Sequence, residues 1–201
     1  MLKSRRRLIV LAATVCAGAA LAVVLLTGWA SGRNSGGNSG VTHIAGSTSA
    51  VLYSAGHRPV APDFTATTLT GARLNFSSYR GQVVVLNFWG SWCAPCRAEA
   101  PALAVTAKQY RPAGVDFLGV DVRDTTTSAL AFARNFGIGY PSVSDSSSVI
   151  TLDFTAVVPI AGTPTTLVID RTGHIAGAVF GTATYQELTD ILAQVTGKAA
   201  G

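Results

Sequence analysis

Two thiols set three residues apart, Cys93 and Cys96 with Ala94 and Pro95 between them, carry the strongest chemical signal in the chain. A cysteine at a helix amino terminus faces unpaired backbone N–H groups and the positive end of the helix dipole, and both favour the thiolate over the thiol. The pair follows an apolar run and precedes a helical stretch, and Pro95 fits a first turn, where no N–H partner is lost. Cys93 is then the attacking sulfur. Cys96, one turn further in, is the more buried thiol that resolves a mixed disulfide. Zinc is a poor competitor, because the remaining cysteine is Cys16 and the three histidines, His43, His57 and His174, have no ligand spacing. A static disulfide here would close too short a loop to restrain the unfolded chain much.

The elements that must position this pair are legible as alternating strands and helices. Residues 82–89 form a nearly continuous apolar strand bounded by turn signals, which suits a strand buried on both faces. Residues 115–121 repeat the theme, and Ala129, Phe132, Ala133 and Phe136 recur at helical spacing before Gly137 ends that helix. Strand, helix, strand, helix predicts a central parallel segment. Residues 62–74 read as an antiparallel edge hairpin turning at Thr70 and Gly71, with Phe64, Leu69 and Leu74 inward. Residues 165–180 form a second hairpin about the 171–173 turn. Thr184 and Glu187 form a capping box for a last helix whose apolar face is Leu188, Ile191, Leu192 and Val195. Within residues 142–161 the pattern supports only a short helix over 149–154.

The 201 residues carry a net charge of +5, with 48% hydrophobic and 12% charged residues, which excludes a disordered polyelectrolyte. Lys3, Arg5, Arg6 and Arg7 hold the excess; the rest of the chain carries 11 basic against 10 acidic residues. That balance lacks the footprint of a nucleic-acid-binding face. Behind the basic cluster, residues 8–26 are 19 mostly apolar positions, long enough to cross a bilayer with the amino terminus inside. Gly28 and Ala30 also provide a small-x-small cleavage site, so residues 1–30 read as a membrane anchor or a signal sequence, and either exports the rest. Cys16 reads as a buried residue of this run. Residues 31–61 read as a flexible Gly/Ser-rich tether with His43 and His57 solvated, residues 62–197 as the folded domain, and 198–201 as a tail.

The stretch V-V-V-L-N-F-W-G-S-W-C-A-P-C-R-A-E-A-P at residues 83–101, together with P-D-F at 62–64 and G-T-P-T-T-L-V-I-D at 162–170, resembles the membrane-tethered thioredoxin-like proteins of the TlpA, ResA and CcmG type. The resemblance implies an α/β thioredoxin fold, a central mixed sheet flanked by helices, with an added amino-terminal hairpin and an insertion after the active-site helix. It implies that Thr163 precedes a cis-Pro164 that lies beside the disulfide and offers backbone groups to a bound peptide, and that Glu99 exchanges a proton with Cys96 when partly buried. Asn87 stands where thioredoxins proper place a buried Asp; it can orient but takes no proton. Trp92 is the candidate contact for a partner peptide, and Trp89 packs. Arg97 either adds positive potential near Cys93 or extends to solvent, and Pro101 is structural.

These readings converge on an extracytoplasmic thiol-disulfide oxidoreductase that needs no cofactor beyond the Cys93–Cys96 disulfide. The resemblance implies reduction of exported protein disulfides, with apocytochrome c the typical client, and electrons from a membrane thiol carrier to a monomeric domain. Three alternatives stand beside it: an exported disulfide-forming oxidase, a thiol peroxidase of the redoxin group, and a copper-binding chaperone. The peroxidase lacks its Thr-x-x-Cys spacing at Ser91-Trp92-Cys93. The chaperone lacks a placed His or Met.

Overall fold

The computed structural model describes residues 40–197. In chain order the elements are β1 (Val41–His43), β2 (Ala50–Tyr53), β3 (Thr65–Thr67), β4 (Arg73–Asn75), β5 (Val83–Trp89), α1 (Ala94–Tyr110), β6 (Val115–Val122), α2 (Thr126–Asn135), β7 (Ser142–Asp145), α3 (Val149–Thr155), β8 (Thr165–Ile169), β9 (Ile175–Phe180) and α4 (Tyr185–Thr196). Seven of the strands make one sheet in the order β1-β2-β9-β8-β5-β6-β7. β5, β6 and β7 run parallel, and the remaining neighbours pair antiparallel. This mixed sheet with its four helices is a thioredoxin-like fold.

β5 lies inside the sheet between β8 and β6, and every one of its side chains is buried, a pattern only a two-sided core can use. Its alternate residues feed different layers. Val83 and Val85 pack with Leu103 of α1 and Leu188, Ile191 and Leu192 of α4. Leu86 and Phe88 face the opposite layer, where Phe154 of α3 meets Phe88 and Phe76 edge-on. A third cluster forms where β5 ends: Leu69, Trp89, Cys93, Cys96, Ala129 and Phe132. The Thr184–Glu187 capping box starts α4, with both reciprocal bonds made.

β3 and β4 form the hairpin expected before β5, though as a separate two-stranded ribbon tied to β7 by a bridge from Thr68 to Val143. β7 itself escaped the sequence pattern, since Ser142, Val143, Ser144 and Asp145 offer a single large apolar residue. It extends the parallel part of the sheet after the active-site helix, in the region of the implied insertion.

The tether over residues 31–61 needs correction. From Gly40 onward this segment is part of the fold: β1 pairs with β2, and β2 with β9, in the register Ala50↔Val179, Val51↔Ala178 and Leu52↔Gly177. Ala50, Val51 and Ala61 are buried, and Val60 bridges to His174. Glycine and serine counts averaged over the window hid a strand whose apolar residues complete the core. His57 accordingly bonds Ser54 at 3.0 Å. The anchor or signal over 1–30, Cys16, residues 31–39 and the tail 198–201 lie outside the described residues. Among the described residues no helix is long and apolar enough to cross a membrane.

Candidate active site

Cys93 is the N-cap of α1, and its Sγ accepts the Cys96 N–H at 3.2 Å. The sulfur therefore occupies the place of a capping oxygen, where backbone N–H groups stabilise negative charge. Cys93 and Cys96 are joined as a disulfide with Cα atoms 5.3 Å apart. Both are buried, Cys93 at 4% and Cys96 at 1% exposure, so a partner gains access to Cys93 first. Pro95 falls in the first turn of the helix.

The loop before Cys93 is tied down at three points. The Ser91 N–H donates to the Asp124 carboxylate at 2.6 Å. The Ser91 carbonyl accepts two bonds from the Arg97 guanidinium, at 2.7 and 3.2 Å, so Arg97 braces the loop from α1. The Trp92 Nε1–H donates to the Val122 carbonyl at 3.1 Å, which holds an indole that is 52% exposed at a set angle beside Cys93. Trp89 does pack: it is buried and stacks on Phe132, ring centroids 4.6 Å apart.

Glu99, three residues after Cys96 on the same helix, is 1% exposed. Its Oε1 accepts from Asn87 Nδ2 at 2.8 Å and its Oε2 from the Ala183 N–H at 2.8 Å. Asn87 also donates to Thr166 Oγ1 at 3.0 Å, across the β5–β8 pairing in which the two residues are opposite. Burial pushes Glu99 up to about 7, against the lowering by the two hydrogen bonds. A carboxyl there exchanges a proton near neutrality. A cavity of about 10 Å³, bounded by Asn87, Trp89, Cys96, Ala100, Phe132 and Tyr140, lies beside the buried sulfur. Burial raises the Tyr140 hydroxyl, and the Glu99 charge adds to that.

Thr163-Pro164 is a cis peptide bond. The register Phe88↔Thr165 places Pro164 at the end of β5 from which the Gly90–Cys93 loop departs. Pro164 has no ladder N–H to lose, and its carbonyl accepts from Gly181 at 3.0 Å. All six candidate residues thus lie about one end of β5 or on the helix that leaves it. Sequence reasoning passed over Thr166 and Ala183, which hold the Asn87–Glu99 pair, and Asp121 and Asp124 under the loop. Acidic residues in or just after an otherwise apolar strand were the available signal.

A dithiol–disulfide pair capping a helix on a thioredoxin-like sheet defines a thiol-disulfide oxidoreductase. The sequence pattern of the AhpC/TSA family matches residues 58–178, and the chain belongs to that family. It is 38% identical over 128 residues to the thiol-disulfide oxidoreductase ResA of Geobacillus kaustophilus, covering 64% of this chain and 71% of that one. Against ResA of Bacillus subtilis it is 33% identical over 132 residues, 66% and 72% of the two chains. A solved structure, a secreted thiol-disulfide isomerase from Corynebacterium glutamicum, superposes with a TM-score of 0.69 at 30% identity, over 79% of this chain and 100% of that one.

Proposed function

We propose that this chain is an extracytoplasmic reductant of protein disulfides, held to the membrane by residues 8–26, with the amino terminus inside. The observation that carries the reading is the buried Glu99, fixed by Asn87 and the Ala183 N–H one helical turn beyond Cys96. In the reduced enzyme the Cys93 thiolate attacks one sulfur of a client disulfide; the client S–S bond breaks, one client sulfur leaves as a thiolate, and a mixed disulfide to Cys93 forms. Cys96 gives its proton to the Glu99 carboxylate, and the Cys96 thiolate attacks the Cys93 sulfur. The mixed disulfide breaks, the second client sulfur leaves, and the Cys93–Cys96 disulfide remains. Two electrons have passed from enzyme to client. A membrane dithiol carrier restores the dithiol by the same exchange in reverse.

Trp92 and the Thr163-Pro164 backbone flank the sulfur where a client segment would lie. The resemblance of residues 83–101 and 162–170 to the TlpA, ResA and CcmG type makes apocytochrome c, whose haem-attachment cysteines must be reduced, the client class of choice. The test is the reduction potential of the Cys93–Cys96 pair, equilibrated against glutathione. A value more negative than roughly −200 mV supports the reductant, and a value near about −120 mV makes the enzyme an oxidant and removes the apocytochrome reading.

A further inference from the structure

Apart from the sulfur chemistry, one acidic side chain among the described residues is buried without a donor. Asp121, near the end of β6, is 1% exposed, and neither of its carboxylate oxygens meets a hydrogen-bond donor. A carboxylate at that depth is not sustained as an unpaired anion. A polar side chain that interacts with it is another carboxyl, Asp124. Two carboxylates are acceptors only, so a bond between them requires a proton on one. Asp124 is the member with donors of its own: its Oδ1 accepts the Thr125 N–H at 2.7 Å and its Oδ2 the Ser91 N–H at 2.6 Å. Asp121, with no other partner, holds the proton.

We propose that Asp121 is a positioning residue for the active-site loop: as a carboxylic acid it hydrogen-bonds Asp124, and that bond keeps the Asp124 carboxylate on the Ser91 amide and so fixes the Trp92–Cys93 segment. The proposal holds whichever way electrons flow between enzyme and client. The register puts Asp121 level with Trp89 of β5 and Ser144 of β7, so all three side chains share one face of the sheet. Trp89 in turn packs with Ala129 and Phe132 of α2, and none of these residues titrates. On α1 the charged or titratable groups are Cys96, Arg97, Glu99, Lys108 and Tyr110, with Cys93 at its N-cap; Arg97 is spent on the Ser91 carbonyl, Lys108 and Tyr110 lie at the opposite end of the helix, and Arg134 of α2 is exposed. On β7, Asp145 is engaged by the Ile150 and Thr151 N–H groups of α3, and Arg123 beside Asp124 is exposed. Nothing cationic is therefore placed to neutralise an Asp121 anion. Burial, with the Asp124 charge adding to it, pushes Asp121 up to about 7. Loss of that proton sets two negative charges together under the loop and releases the brace.

The test follows the Trp92 indole N–H by NMR in the full-length, ¹⁵N-labelled chain in detergent micelles, oxidised so that the cysteines do not titrate. Between about pH 5 and about pH 9 the wild-type resonance should pass through an inflection near 7 as its bond to Val122 loosens. Asp121→Asn, which mimics the protonated acid, should stay at the low-pH position throughout, and Glu99→Gln should keep the inflection. Asp124→Asn retains an oxygen for Ser91 while removing the neighbouring charge, and should move the inflection down by about one pH unit or more. A flat wild-type titration overturns the proposal, as does an inflection that persists in Asp121→Asn or disappears in Glu99→Gln. Should Asp121→Asn fail to fold, the wild-type and Asp124→Asn titrations decide alone.

Discussion

Cys93 and Cys96 lie three residues apart yet are asked to do different work, and the difference is positional. Cys93 caps the helix and takes a backbone N–H on its sulfur, whereas Cys96 sits inside the first turn beside Asn87 and the one-water-sized cavity. Cys96→Ala should therefore trap mixed disulfides through Cys93, and Cys93→Ala should trap none; equal trapping on non-reducing gels would overturn the assignment. Glu99 separates resolution from attack. In the proposed cycle Glu99, pushed up by burial to about 7, is the anion that would accept the Cys96 proton above that pH and a neutral acid below it. Glu99→Gln should slow resolution of the mixed disulfide by about 100-fold at neutral pH, with the first attack by Cys93 nearly unchanged, in stopped-flow measurements.

Among the elements, the loop between β5 and α1 depends on a glycine. A Cβ added at Gly90 would lie 2.6 Å from Trp92 Nε1 and 2.7 Å from its Cε2, so the indole must leave the Val122 carbonyl to make room. Gly90→Ala should weaken client binding by about tenfold, roughly 1.4 kcal/mol, while the fold persists, a change readable as a raised KM with a small model disulfide reduced at the wild-type rate. At the other side of the sheet, β1 and β2 are structural. Removing residues 40–53 would uncover β9 and discard buried Ile44, Ala50 and Val51, and should lower unfolding free energy by roughly 3 kcal/mol or more in urea titrations.

Across the whole domain, two buried acids bind protons more tightly than in the unfolded chain. Glu99 rises from 4.5 and Asp121 from 3.8, each to about 7. Between about pH 4 and about pH 7 the folded state therefore holds more protons than the unfolded one, so stability falls as pH rises through that window, by on the order of 3 kcal/mol per group. Asp170 and Glu187 act in the opposite sense. Burial pushes them up, but hydrogen bonds from Thr172 and Arg58 to the one, and from Ser47 and Thr184 to the other, bring both below their ordinary values. Their contribution is present above about pH 4 and lost below it. The oxidised protein should thus be most resistant to urea near about pH 4, and Glu99→Gln should flatten the decline toward neutrality. A midpoint that climbs steadily from about pH 5 to about pH 8 would contradict the buried neutral acids.

How much of this was legible follows from what each feature depends on. Local chemistry and periodicity settle the Cys-Ala-Pro-Cys helix start, the wholly apolar β5, the α4 capping box and the hairpin ahead of β5, because these rest on contacts within a few residues. The cis Thr163-Pro164 bond and the burial of Glu99 entered through resemblance, since no pattern within residues 94–110 distinguishes a buried glutamate from a solvated one. Only the assembled sheet brings Asn87, Thr166 and Ala183, from distant parts of the chain, onto one carboxyl. The same holds for β1 and β2, whose Gly/Ser-rich surroundings read as tether until β9 supplies an edge to pair with. Asp121 lies inside a strand recognised from its apolar run, and its partner Asp124 is three residues on. What the strand's pattern does not contain is the closure of α2 over that face, which excludes water and leaves a proton as the remaining way to satisfy two carboxyls.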